Sequence, residues 1–287
     1  MTERRKITPH DLQARKREGR KITMLSIYDY PLALLAERAG LDTILVGDSL
    51  AMTALGHENT VSVTLEEMLH HVKAVARAAR TAMVVADMPF MSYQPSERDA
   101  ILAAGRFMKE GMADAVKVEG GAGMAPILGA IHRAGVPVMG HIGLTPQSAA
   151  QLGGLKVQGR TAQAARKLVA DAAALQAAGA FAVILECVPG EVSRLVTESL
   201  RVPTISYGAG VHCDGQGMVS ADMLGLFERF KPKFAKRYVD LAPQILKAFE
   251  TYRDEVAAGR FPADEHTYAV DPKELAALHG KRARGKR

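Results

Sequence analysis

A chain of 287 residues with 48% apolar and 24% charged residues has the composition of an ordinary globular protein, which excludes the collagen-like and disordered classes. Two cysteines, Cys187 and Cys213, are too few for a disulfide framework. The net charge of +6 sits at the ends: residues 1–21 hold eight Lys/Arg against three Asp/Glu, residues 281–287 hold five basic side chains, and the body is left at −4. A nucleic-acid-binding fold would carry its basic residues on one face, so no nucleic-acid partner is expected. Both ends read as solvated or subunit-contacting. No run approaches the ~18 apolar residues of a membrane span, and the opening MTERRKITPHDLQARKREGRK lacks the apolar core of a secretory signal. No membrane partner and a cytoplasmic location are expected.

Short apolar runs alternate with longer amphipathic ones along the chain. The runs Ile22–Ile27, Thr43–Val46, Met83–Ala86, Ala115–Val118, Pro137–Gly140, Phe181–Leu185 and Val202–Ser206 are nearly continuously apolar, the pattern of parallel strands buried on both faces. A weaker eighth candidate is Lys233–Tyr238. Helices are predicted at Thr64–Arg80, Ser96–Glu110, Ala162–Ala178, Glu191–Ser199 and Ala242–Ala258. Thr64 and Glu67 have the spacing of a capping box. A doubly wound sheet would want a glycine-rich turn after its first strand, where this chain has Tyr28-Asp29-Tyr30-Pro31. The expected fold is therefore α/β, a single (β/α)8 TIM barrel over residues 1–268 with an N-terminal extension, followed by a basic C-terminal tail over residues 269–287.

Polar residues fall where the strands end. Asp48, Asp87, Lys117 with Glu119, His141 and Glu186 each close or follow an apolar run, and in a barrel those ends converge on one mouth. Asp48, Asp87 and Glu119 offer only oxygen, which suits a hard cation such as Mg²⁺; no HExxH or paired CxxC points to zinc. Glu186 follows four apolar residues, and burial there would raise its pKa and suit it to proton transfer. His141 reads equally as an acid–base group or a structural histidine. Two motifs are set aside. Gly47-Asp48-Ser49-Leu50 spells the GDSL signature of a serine hydrolase family, but no histidine has the Asp three residues before it that such a base requires. Gly120-Gly121-Ala122-Gly123 lacks the rest of a phosphate-binding loop.

Ten stretches, in order and spacing, resemble the ketopantoate hydroxymethyltransferase family. They are Tyr28-Asp29-Tyr30, LVGDSL (45–50), ADMPFM (86–91), VKVEGG (116–121), GHIGLTPQ (140–147), GGLKVQGR (153–160), LECVP (185–189), CDGQ (213–216), PKFAK (232–236) and DEHTY (264–268). The resemblance implies a barrel of the phosphoenolpyruvate/pyruvate superfamily, assembled as a homo-oligomer, usually a decamer. It implies metal ligation by Asp48 and Asp87 with Glu119 nearby, substrate contacts at Asp48, Ser49, Asp87 and Lys117, and a catalytic carboxylate at Glu186. His141, and Tyr28 in the first motif, fall on possible active-site positions. The implied reaction moves a hydroxymethyl group from 5,10-methylenetetrahydrofolate to 3-methyl-2-oxobutanoate through a Mg²⁺-stabilised enolate.

The chain departs from the family's pattern at a few positions. Ala51 stands for Gly, Ser206-Tyr207 for Gly and a small aliphatic residue, and Gly217 and Ala221 interrupt an aliphatic run followed by His-Asp, leaving Asp222. A bulky Tyr207 at a strand end would reshape the pocket. Two other readings stand beside the hydroxymethyltransferase: a folate-independent C–C lyase or decarboxylase of the same superfamily acting on another 2-oxo acid, and a catalytically silent barrel.

Overall fold

The computed structural model describes residues 4–282, with side chains described to residue 278. Eight parallel strands close a barrel in sequence order: β1 Ile22–Ser26, β2 Thr43–Val46, β3 Met83–Asp87, β4 Ala115–Glu119, β5 Val138–Gly143, β6 Ala182–Glu186, β7 Thr204–Tyr207 and β8 Gly215–Val219. The expected TIM barrel is the observed one. Alternate residues explain the apolar runs: Met24, Leu45, Met83, Val85, Ile184 and Ile205 fill the interior, while Ile44, Val46, Val84, Val116, Val118 and Leu185 pack outward against helices.

The predicted helices form at Leu65–Ala78, Glu97–Lys109, Ala162–Ala177, Gly190–Ser199 and Ala242–Ala257. The capping box closes as read, with the amide of Glu67 donating to Thr64 Oγ1 at 3.2 Å and the amide of Thr64 donating to Glu67 Oε2 at 2.8 Å. Further helices cover Pro9–Arg17, Tyr30–Ala39 and Ala125–Arg133. Among the described residues, the link between β7 and β8 carries no helix.

One strand assignment is corrected. Residues 233–238 form no strand; the eighth strand is Gly215–Val219. Its sequence, GQGMV, carries two glycines, which depress strand propensity and hide it from a pattern search. Gly217 is required by packing: a Cβ there would lie 2.0 Å from Cε2 of Tyr207.

The basic N-terminal segment is not simply solvated. Ile7 and Leu12 join the interior cluster, and the basic residues around them pair with aspartates that each precede a strand. Lys6 Nζ lies 2.7 Å from Asp114, Arg15 Nη2 2.6 Å from Asp42, and Lys16 Nζ 2.8 Å from Asp214. Each aspartate also accepts an amide from a neighbouring strand, those of Val84, Thr23 and Thr204. Charge that looked like a tail thus neutralises the N-terminal face of the barrel, the face that serves stability rather than chemistry in this architecture.

The chain divides into two compact units, Met1–Val239 and Asp240–Arg287. The second contains the helices Ala242–Ala257 and Pro272–Arg282. The basic run Lys281–Arg287 lies outside the residues whose side chains are described. Among the described residues, no helix is long and apolar enough to cross a membrane.

Candidate active site

All six polar residues read from the strand ends line one cavity of about 850 Å³ at the C-terminal mouth of the barrel: Asp48, Asp87, Lys117, Glu119, His141 and Glu186. Ser49 lies on the same wall. Tyr28 is one step removed, buried, with its hydroxyl 2.8 Å from Ser49 Oγ. Burial pushes the Tyr28 phenol upward, so it stays protonated.

Carboxylate oxygens of Asp48, Asp87 and Glu119 lie within 4.8 Å of one another, and all three residues are buried. Lys117 Nζ donates to Asp87 Oδ1 and Oδ2 at 2.7 and 2.8 Å and to Glu119 Oε1 at 3.0 Å. Among the described residues Asp48 meets no ammonium; its Oδ2 accepts from the Gln147 amide at 2.9 Å. Burial, reinforced by the charges of Asp87 and Glu119, drives the Asp48 carboxyl well above the usual range. Asp87 is also raised by burial, against the pull of Lys117. Burial opposes the charge on Glu119 too, but Lys117 and His141 outweigh it and hold that carboxyl down at about 2. Lys117 stays charged because the surrounding carboxylates outweigh its desolvation. Three carboxylates around one ammonium leave excess negative charge in a buried site. A hard dication held by their oxygens would offset it, so the donor set fits Mg²⁺.

His141 lies between two carboxylates, its Nδ1 3.3 Å from Glu119 and its Nε2 3.3 Å from Glu186. Both approaches fall outside hydrogen-bond geometry, leaving the ring nitrogens with ionic contacts only. Burial and Lys117 press its pKa down, yet Glu119 and Glu186 more than offset them and lift it to about 9. The two flanking carboxylates thus favour the imidazolium form of His141.

Glu186 differs from what its apolar preface suggested. Its side chain is 19% exposed and opens to the cavity, where the other carboxylates are enclosed. Two backbone features set it there. Cys187 turns the chain out of β6 at φ 48, a conformation costly for a non-glycine residue. Gly143, at φ 94, lets β5 pass so close that a Cβ would sit 2.3 Å from the Glu186 carbonyl oxygen, which accepts the Leu144 amide at 2.8 Å.

Comparison with known proteins gives the chain a family. The profile of the ketopantoate hydroxymethyltransferase family matches residues 6–264. The chain belongs to the ketopantoate hydroxymethyltransferase family. It is 58% identical over 268 residues to the 3-methyl-2-oxobutanoate hydroxymethyltransferase of Moorella thermoacetica, covering 93% of this chain and 100% of that one. It is 53% identical to the same enzyme of Carboxydothermus hydrogenoformans, with 96% and 99% covered. Solved structures share the fold: phosphonopyruvate hydrolase with oxalate and Mg²⁺ (TM-score 0.60, 14% identity, 98% of this chain and 100% of that one) and 2,3-dimethylmalate lyase of the PEP mutase/isocitrate lyase superfamily (TM-score 0.56, 14% identity, 96% and 98%).

Within this hydroxymethyltransferase family member, sequence reasoning missed Gln147 and Tyr93. Gln147 ends the GHIGLTPQ motif, yet nothing in the sequence marks it as a support for carboxylates 28 or more residues away. Its Nε2 donates to Asp48 Oδ2 and to the Met88 carbonyl, each at 2.9 Å, and its backbone amide donates to Glu119 Oε2 at 3.0 Å. Tyr93 Oη donates to Gln147 Oε1 at 2.7 Å and accepts the Glu119 amide at 3.0 Å. Partners that orient metal-ligating carboxylates carry roughly 10–100-fold in metal affinity. Gln147→Leu is accordingly expected to weaken Mg²⁺ binding by that factor while the chain stays folded. Calorimetric titration with Mg²⁺ checks this, and wild-type affinity would remove Gln147 from the site's support.

Proposed function

We propose that the chain catalyses hydroxymethyl transfer from 5,10-methylenetetrahydrofolate to 3-methyl-2-oxobutanoate, giving 2-dehydropantoate and tetrahydrofolate, as the name shared by its relatives describes. The observation that carries this reading is the meeting of Asp48, Asp87, Lys117, Glu119, His141 and Glu186 in one cavity of a chain so similar to those relatives. Substrate binding is assigned to Asp48, Ser49, Asp87 and Lys117, and metal binding to Asp48, Asp87 and Glu119.

Mg²⁺ bound by those carboxylates would act as a Lewis acid toward the 2-oxo acid's oxygens. Glu186, open to the cavity, takes the proton from C3 as general base. Lys117 and the His141 imidazolium place fixed positive charge beside the enolate that results, so that charge develops where the site already opposes it. Water breaks both C–N bonds of the one-carbon unit, its two hydrogens passing to the folate nitrogens to give tetrahydrofolate and its oxygen staying on the carbon as formaldehyde. Carbon C3 then attacks that carbon, and the resulting alkoxide takes the proton held by Glu186 to become the new hydroxyl. Leu155, Val157, Phe227 and Phe230 give the cavity an apolar rim, a surface suited to a flat heterocycle. The family resemblance further supports a cytoplasmic homo-oligomer, a decamer, whose size sedimentation of the full chain would read.

Proton NMR of 3-methyl-2-oxobutanoate in D2O, with the Mg²⁺-loaded protein and with or without methylenetetrahydrofolate, tests the reading. Exchange at C3 together with folate-dependent product is expected. Exchange without product would point to a folate-independent lyase or decarboxylase, and neither exchange nor product would sink both.

A further inference from the structure

Two of the departures from the family's pattern, at residues 207 and 217, are one feature in space. The Tyr207 ring lies within the barrel interior, against the backbone of β8, where a Cβ on Gly217 would fall 2.0, 2.4 and 2.7 Å from Cε2, Cζ and Cδ2. Its hydroxyl reaches across to β1 and lies 3.1 Å from Ser26 Oγ. The ring therefore spans from β7 over β8 to β1, and only glycine at 217 leaves room for it. Bulk that an aliphatic residue at 217 would supply from β8 is supplied instead by an aromatic ring from β7.

This ring is buried but faces the catalytic cavity, whose lining takes in Ser26, Leu45, Ile184, Glu186 and Tyr207. Tyr207 is the register partner of Glu186 across β6 and β7. The carboxylates assigned to the metal follow β2 or end β3 and β4, so a 2-oxo acid anchored there would present its C3 to Glu186 and the groups on C3 to the neighbouring strand. We infer that Tyr207, seated by Gly217 and Ser26, is a specificity-determining wall that limits the alkyl groups on C3 of the 2-oxo acid. The inference rests on the 2-oxo acid reading given above. A tyrosine that merely fills the core would leave substrate selectivity alone.

The experiment compares 3-methyl-2-oxobutanoate with 3-methyl-2-oxopentanoate, which adds one methylene to the branch. Their dissociation constants are measured calorimetrically on the Mg²⁺-loaded full chain, and their C3 exchange by NMR. One methylene in an apolar pocket is worth roughly 10–200-fold in discrimination. Tyr207→Val should raise the longer acid's affinity relative to the shorter by about tenfold or more. Gly217→Val alone should lower the thermal midpoint sharply, and adding Tyr207→Val should restore much of that loss, since the two side chains compete for one space. Tyr207→Leu, which removes the ring but keeps an apolar filler, carries the selectivity test if Tyr207→Val does not fold, and its ratio must also exceed the wild-type ratio. A ratio unmoved in folded Tyr207→Val or Tyr207→Leu overturns the role of Tyr207 while leaving the enzyme reading intact. A wild-type protein that binds neither acid and exchanges neither would defeat the 2-oxo acid reading, and this inference with it.

Discussion

Glu186→Gln is expected to slow exchange of the C3 hydrogen of 3-methyl-2-oxobutanoate by roughly 10²–10⁴-fold, the usual contribution of a positioned general base. The substitution is nearly isosteric and keeps an oxygen near His141 Nε2, which lies 3.3 Å from the wild-type carboxylate. Asp48, Asp87 and Glu119 are untouched, so binding of Mg²⁺ and of the 2-oxo acid should persist. That separation matters: a variant that still binds but no longer exchanges has lost the proton acceptor alone. Calorimetry reads the first property and loss of the C3 proton signal in D2O reads the second. Exchange at the wild-type rate would strike Glu186 from the role. The alternatives nearby are poor ones. Cys187 is pushed up to about 11 by burial and by Glu186 itself, and the carboxylates on both sides of His141 favour its protonated form.

The barrel was legible because parallel strands buried on both faces read as nearly continuous apolar runs, and seven such runs fall on its strands. The eighth does not, since Gly215 and Gly217 serve close packing at the expense of propensity. The site was legible for a related reason. A carboxylate or ammonium directly after such a run stands out, and the fold brings all such ends to one mouth. What stayed hidden depends on contacts between residues far apart in the chain. Gln147 supports Asp48 from 99 residues away. The openness of Glu186 follows from the turn at Cys187 and the close pass of Gly143, features of backbone rather than residue type. The N-terminal charges looked like a solvated end because their partners, Asp42, Asp114 and Asp214, lie up to 172 residues apart.

Asp48→Ala and Asp87→Ala should both abolish Mg²⁺ binding and turnover, yet only Asp87→Ala should destabilise the metal-free protein. Asp87 holds the buried Lys117 by two contacts; its removal leaves Lys117 only Glu119 as a hydrogen-bonded counter-charge, so part of the about 3–5 kcal/mol typical of a buried charge left uncompensated is lost. Asp48 has no cationic partner of its own, and its carboxyl is raised by burial and by its two acidic neighbours. A carboxyl with a folded pKa above its unfolded value binds its proton more tightly when folded. Its ionisation therefore erodes stability as pH rises from the unfolded pKa toward the folded one. At neutral pH the metal-free wild type bears that penalty, and Asp48→Ala removes it. The thermal midpoint of metal-free Asp48→Ala should accordingly match or exceed that of metal-free wild type, while Asp87→Ala falls well below. Added Mg²⁺ should then stabilise only the wild type, by about 2.7 kcal/mol at a hundredfold excess over its Kd. A Mg²⁺-induced rise of the same size in Asp48→Ala would show that the cation binds elsewhere, and the three carboxylates would have to be read as a ring around Lys117 alone.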